Sequence, residues 1–220
     1  MCKRAEARQA LNEARMVADY ARLHGGDRPP TSPRPTNDHI GAVLADSVLQ
    51  AGVRYETVVR PRVTRIVTLY PEAQNLDGLG QLLTRVNTSE FLMWRHPIKV
   101  KRFERLVEFF DDRSLNCTEE VAKFLDEKQA RTLLLELNGV GPKTYDYLCN
   151  LLGLDRIAVD RHVITFASEA GVIADGYEHV QRVTSYAADL LGIMRRDFDA
   201  WMWHHVASRN SVPSQFALDF

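Results

Sequence analysis

Apolar residues return along this chain at helical spacing, almost without interruption from Asp38 onward. Val59, Val63, Ile66, Val67 and Tyr70 stand at i, i+4, i+7, i+8 and i+11, and Phe103, Leu106, Val107 and Phe110 at i, i+3, i+4 and i+7. Such repeats place one apolar stripe on a helix. Residues 3–23 carry the same signal, with Leu11, Ala14, Ala18 and Ala21 on one side. The two-residue alternation of a half-buried strand is sustained nowhere, so the expected fold class is all-α. Loops are expected at "YPEAQN", "NTSE", "DDRSLNCT" and "ADGY". The stretch "HGGDRPPTSPRPTND" rules out regular structure with its glycines and prolines, which makes residues 24–37 a linker. The segment before it is too short to fold alone.

The segment "LNGVGPKTYDYL", Leu137–Leu148, interrupts this pattern. Leu133, Leu134 and Leu137 give one helix an apolar face, and Thr144, Leu148, Leu151 and Leu152 give another. Between them Asn138-Gly139-Val140-Gly141 must reverse the chain. Gly139 is expected to end the first helix, Gly141 to cap the second, and Pro142 to occupy its first position, where a missing N–H costs nothing. Backbone N–H groups at such a helix start can hold an anion, and a turn without side chains admits a bulky phosphate. A plain glycine-capped turn between two helices is the other reading of the same residues.

Lys143 is expected at the second position of that helix, where the positive end of the dipole disfavours a cation. Dipole and partial desolvation both favour the neutral, nucleophilic amine; a lysine that simply contacts phosphate is the other reading. Downstream, Asp160 follows the apolar Ile157-Ala158-Val159 and precedes a helical pattern of Val163, Phe166, Ala167 and Ala170. That is the position of an N-cap, which fixes a carboxylate and suits it to steady developing positive charge. Tyr147, one turn after Lys143 on the same face, reads first as packing, with lining a pocket or buttressing the lysine as the other readings.

Composition changes little. A chain of 220 residues with 45% hydrophobic and 26% charged residues suits one large domain or two coupled lobes around a buried core. The net charge of −1 counts mildly against a nucleic-acid binder, but a phosphate held by backbone amides needs fewer cations. The basic residues are also uneven. "RHPIKVKRFER" sets Arg95, Lys99, Lys101, Arg102 and Arg105 against Glu104, and "RYETVVRPRVTR" sets Arg54, Arg60, Arg62 and Arg65 against Glu56. Taken alone, each run reads as a solvated helix face.

Cys2, Cys117 and Cys149 are too few and too scattered for a disulfide framework or a cysteine-rich zinc site, and they suit a reducing compartment. The first residues are too charged for a secretory signal, and no run approaches the ~20 apolar residues of a membrane span. An intracellular, soluble protein is expected. His204 and His205 point about 100° apart on a helix and share no metal easily. Phe198, Trp201, Met202 and His205 form a helical stripe that reads as core, with Trp201 or Trp203 within reach of a cleft.

"LNGVGPKTYDYL" followed by "IAVDRHV" resembles the helix–hairpin–helix, Gly/Pro-rich, Asp superfamily of DNA glycosylases, most closely its endonuclease III branch, over about Asp38 to Arg209. The resemblance implies a two-lobed helical glycosylase fold: a helical lobe at 38–135, the helix–hairpin–helix at 131–153, and residues 1–23 and 154–220 as the second lobe. It implies double-stranded DNA across the interlobe groove, with a damaged nucleotide flipped out of the stack. Lys143 matches the family's Schiff-base nucleophile and Asp160 its catalytic aspartate. With that lysine the expected activity is bifunctional: excision of a damaged or mismatched base, then strand cleavage as an abasic-site lyase in base excision repair.

By the same resemblance Gly139, Val140 and Gly141 hold the DNA backbone. Gln50, in "SVLQAGVRYE", matches the segment that fills the vacated base stack. Lys99, Lys101 and Arg102 match a basic helix beside the DNA. A monomer, nucleoid-associated in the cytoplasm, is implied. Asn138 and Pro142 depart from the family pattern at a proline and a basic residue. After Cys149 there is no cysteine, so the branch's iron–sulfur cluster is not expected, nor any other metal or cofactor, and the tail must be held by packing. Oxidised pyrimidines are the branch's substrate; a mismatched thymine, uracil or oxidised purine stays open. The alternatives are a non-catalytic DNA-binding relative and a lyase without base excision.

Overall fold

The computed structural model describes residues 3–28 and 38–210, and every regular element among them is helical. The α-helices are α1 (Lys3–Leu23), α2 (Ile40–Leu49), α3 (Arg60–Leu69), α4 (Leu76–Leu83), α5 (Thr88–Phe91), α6 (Pro97–Asp111), α7 (Thr118–Leu125), α8 (Ala130–Leu135), α9 (Pro142–Leu151), α10 (Arg161–Glu169), α11 (Gly176–Leu191) and α12 (Arg195–Asn210). A π-helical turn at Tyr55–Val59 leads into α3, and a 3₁₀ turn at Pro71–Gln74 follows it. The chain divides into two compact units, Met1–Arg34 with Asp155–Phe220, and Pro35–Leu154.

In the first unit α1 makes its most extensive pairing with α11. The stripe it buries is Ala10, Ala14, Val17, Ala18 and Ala21, a smooth surface that lets two helix backbones close in. Leu11, expected on that side, is 37% exposed; the stripe starts one residue earlier, about 100° away round the helix. Phe166 of α10 centres the other half of this core, with the rings of Tyr20, Phe198, Trp201 and His205 around it. The turn after α1 lies against Trp201 so closely that a Cβ on Gly26 would stand 2.6 Å from the indole. Of the expected linker, residues 24–28 form turns and 29–37 lie outside the described residues, as do Cys2 and the tail after Asn210.

In the second unit every residue of α2 is buried, including Asp46 and Ser47. A helix apolar nearly all round belongs inside a core, and α3, α6 and α9 pack against it. His39 caps its start: Nδ1 accepts from the Ala42 N–H, and Nε2 donates to the Tyr70 carbonyl. α6 turns Val100, Phe103, Leu106 and Phe110 inward, while α3 buries Ile66 and leaves Val67 41% exposed. Two segments expected as loops begin helical turns instead. The Asn87 side chain accepts from the Glu90 N–H and starts α5, and Pro71 opens the 3₁₀ turn. Asn and Pro punctuate a chain by starting helices as well as by breaking them.

Candidate functional site

The glycine turn joins α8 to α9 through a β-turn at 137–140, closed by the Val140 N–H on the Leu137 carbonyl. Gly139 stands at its third position with φ 91°, the left-handed conformation a type II turn requires there. It does not end the first helix, as expected: α8 stops at Leu135 and Gly139 shapes the turn beyond it. Gly141 is the N-cap of α9 in extended conformation, with no side chain capping the first turn, and Pro142 follows at the first helical position. Val140 is buried, which anchors the turn and leaves its backbone outward.

Basic residues of α6 meet this turn. A Cβ on Gly139 would stand 2.5 Å from Nε of Arg102, so the guanidinium packs directly over the glycine. That Nε is buried with no hydrogen-bond partner. Arg105 donates to the Asn138 carbonyl at 3.3 Å. Lys101 is exposed on the same helix.

Lys99, expected with Lys101 and Arg102 on a basic helix beside the DNA, makes its contacts within the second unit. Its ammonium donates to the Leu49 carbonyl at 2.6 Å and the Ala51 carbonyl at 2.7 Å, and lies 4.6 Å from the Trp94 ring centre. It closes the C-terminus of α2, where the helix dipole is negative. Burial first, and the Arg102 charge second, bring its pKa down to about 8.

Lys143, at the second position of α9, donates to Oε1 of Gln50 at 2.7 Å. Gln50 is the C-cap residue of α2, and its Nε2 is buried without a hydrogen-bond partner. One turn along each helix, the Tyr147 hydroxyl donates to Oδ1 of Asp46 at 3.0 Å, and the Tyr55 hydroxyl donates to Oδ2 at 2.9 Å. The structure thus brings Lys143 and Gln50 together within the second unit and sets Gly139, Val140, Gly141 and Arg102 beside one another.

In the first unit Asp160 caps α10. Its Oδ1 accepts from the N–H groups of His162, at 2.8 Å, and Val163, at 3.1 Å, while Oδ2 lies 3.2 Å from the His162 ring. His205 is stacked on Trp201, and burial, then the His24 and Arg209 charges, push its imidazole below the usual range. Among the described residues no group of three His, Cys, Asp or Glu side chains is placed to hold a metal, and no helix is long and apolar enough to cross a membrane.

Asp46, Tyr55 and Arg105 do not stand out in the sequence as site residues, and Tyr147 stands out there first as packing. Asp46 and Gln50 share one spacing of four and Lys143 and Tyr147 share another, and that repeat was the available signal. No family model matches the chain, and no curated protein or solved structure matches it either.

Proposed function

We propose that this chain is a DNA N-glycosylase with abasic-site lyase activity, built on a helix–hairpin–helix and a two-lobed glycosylase architecture, and acting on double-stranded DNA. The observation that carries the reading is Lys143 itself: an amine one residue inside a helix whose N-terminus no side chain caps, directly behind a glycine turn flanked by Arg102 and Arg105. Amides there suit a phosphate, and an amine there suits attack on a sugar carbon.

In this reading Lys143 Nζ, as the free amine, forms a bond to C1′ of the extruded nucleotide while the glycosidic bond breaks. The bonding pair leaves with the base, which takes up a proton. The Asp160 carboxylate supports the cationic sugar. The new N–H gives up a proton and O4′ takes one up as the C1′–O4′ bond breaks and the imine forms, and loss of a C2′ proton then expels the 3′ phosphate oxygen. Water releases the enzyme. Every step is acid–base or nucleophilic chemistry.

Borohydride trapping on a duplex with one abasic site tests this. The expected result is a covalent adduct that vanishes in Lys143→Ala and forms more slowly in Asp160→Asn. Duplex binding with no adduct in the unsubstituted protein would reduce the chain to a DNA-binding module. An adduct without release of any base from single-lesion duplexes would reduce it to a lyase.

A further inference from the structure

The seam between α2 and α9 carries a second rung that the proposed reaction leaves unused. α2 presents Asp46 and Gln50 one turn apart, the Gln50 N–H bonding to the Asp46 carbonyl. α9 presents Tyr147 and Lys143 one turn apart, running the other way. Lys143 meets Gln50, and Tyr147 meets Asp46. Tyr55, from the π-turn, fixes the other carboxylate oxygen. Asp46 is only 4% exposed.

Both of its oxygens accept from phenols, the arrangement an ionised carboxylate takes. A buried anion is costly without a cation near it. Lys143 meets Gln50, which follows Asp46 by one turn of α2, a spacing of roughly 6 Å between Cβ atoms on one helix. At that range an anion favours the ammonium over the amine. The effect is opposite in sign to that of the α9 dipole on the same group.

We propose that Asp46 is a positioning residue for Lys143: gripped by Tyr55 and Tyr147, its carboxylate holds the lysine on the Gln50 rung and governs when its amine loses the proton. The meaning for catalysis rests on Lys143 being the nucleophile; the pairing itself does not. Charged groups on the elements packed here include Asp146 of α9, Glu56 of the π-turn, Lys99 and Arg102 of α6, Arg131 of α8 and Glu136 directly after it, while Lys101, Glu104, Arg105 and Glu108 of α6 are exposed. Lys99 is held on the Leu49 and Ala51 carbonyls, and Arg102 packs over Gly139. On α3, Arg62 and Arg65 are turned to Trp94 and Tyr70, and His39 caps the far end of α2.

The test is competitive acetylation of the intact protein with acetic anhydride across neutral to alkaline pH, with Lys143 read by mass spectrometry. In Asp46→Asn the Lys143 midpoint is expected to fall by about one pH unit, the scale of one neighbouring charge. An unchanged or raised midpoint overturns the proposal. If Asp46→Asn does not fold, Lys143→Met decides. Its loss of stability is expected to be larger near pH 7 than near pH 3, below the ordinary aspartate range, because only the ionised Asp46 misses its neighbour; equal loss at both overturns the proposal.

Borohydride trapping on the abasic duplex is run over the same pH range, and its profile is expected to shift with the labelling curve. A labelling shift with no trapping in the unsubstituted protein sinks the lyase reading alone. Trapping with coincident labelling curves sinks the role of Asp46 alone.

Discussion

Lys143 and Gln50, 93 positions apart in the chain, meet at 2.7 Å and tie the start of α9 to the end of α2. The lysine therefore stands at the positive end of one helix dipole and the negative end of another. The two fields oppose each other at its ammonium, and each is worth about 0.3–1 kcal/mol at such a site. Lys99 reinforces the same C-terminus from α6 through the Leu49 and Ala51 carbonyls.

Removing the Gln50 acceptor should free the amine. In Gln50→Ala, acetylation of Lys143 near neutral pH is expected to rise by up to about tenfold, the equivalent of one hydrogen bond to a charged group. The measurement uses no DNA. A rate equal to that of the unsubstituted protein would mean that the 2.7 Å contact does not restrain Lys143.

Lys99 gives a pH dependence whose sign follows from its surroundings. Its folded pKa, about 8, lies below the ordinary lysine value of 10.5, so the folded state releases the proton first. Between these values the unfolded chain binds more protons, and stability attributable to Lys99 rises with pH. Below pH 8 the cost of its buried charge is present in full. Urea midpoints near pH 7.5 and near pH 9.5 are expected to diverge between the unsubstituted protein and Lys99→Met, the former gaining at the higher pH. Parallel behaviour of the two proteins would show that the ammonium carries no such cost.

How much of this was legible in the sequence depends on the range of each interaction. The start of α9 was, because Gly141 as cap and Pro142 at the first helical position follow from neighbouring residues, whereas Gly139 shapes a turn beyond the end of α8 where a helix end was expected. Asp160 was, since a cap is decided by the next three residues. The Lys143–Gln50 contact was not, because it depends on how α2 and α9 pack. Considering only the α9 dipole gave an amine pushed toward neutrality; the end of α2 and Asp46 act against that. Lys99 looked like one more charge in a basic run, and only the Leu49 and Ala51 carbonyls at the end of α2 distinguish it from Lys101. On α1 the expected Ala14, Ala18 and Ala21 are buried and only Leu11 falls outside the stripe, because leucine outweighs alanine in any hydrophobic count although alanine pairs helices more closely.

Gly139 is constrained twice, by its φ of 91° and by Arg102 above it. Gly139→Ala is expected to cost about 1–2 kcal/mol for the left-handed conformation alone, with a further loss from displacing the guanidinium. The two parts separate in a double-mutant cycle, because Arg102→Ala removes the collision but not the strain. Partial recovery of the denaturation midpoint in the double variant is the expected outcome. Full additivity would mean that Arg102 moves aside freely.

Asp160 has a structural duty that can be divided from its proposed chemistry. An asparagine keeps an oxygen for the His162 and Val163 amides, whereas alanine does not. Asp160→Asn should therefore melt within a degree or two of the unsubstituted protein, and Asp160→Ala should lose about 1 kcal/mol. Both should lose base excision by at least about a hundredfold if the carboxylate steadies a cationic sugar. An active Asp160→Asn would leave the residue as a helix cap and nothing more.

The basic residues of α6 divide in the same way between binding and packing, and salt dependence tells them apart. Each phosphate contact contributes close to one unit to the slope of log K against log salt. Lys101 is exposed and Arg105 lies at the Asn138 carbonyl of the glycine turn, so each is free to offer charge to a phosphate there. Lys101→Ala and Arg105→Ala are each expected to reduce the slope by about one. Lys99→Met is expected to leave it unchanged, because its ammonium is already committed to two carbonyls and the Trp94 ring. Fluorescence anisotropy with a labelled duplex at several salt concentrations measures all three. A slope that drops for Lys99 and holds for the other two would move the DNA away from the glycine turn and toward the end of α2.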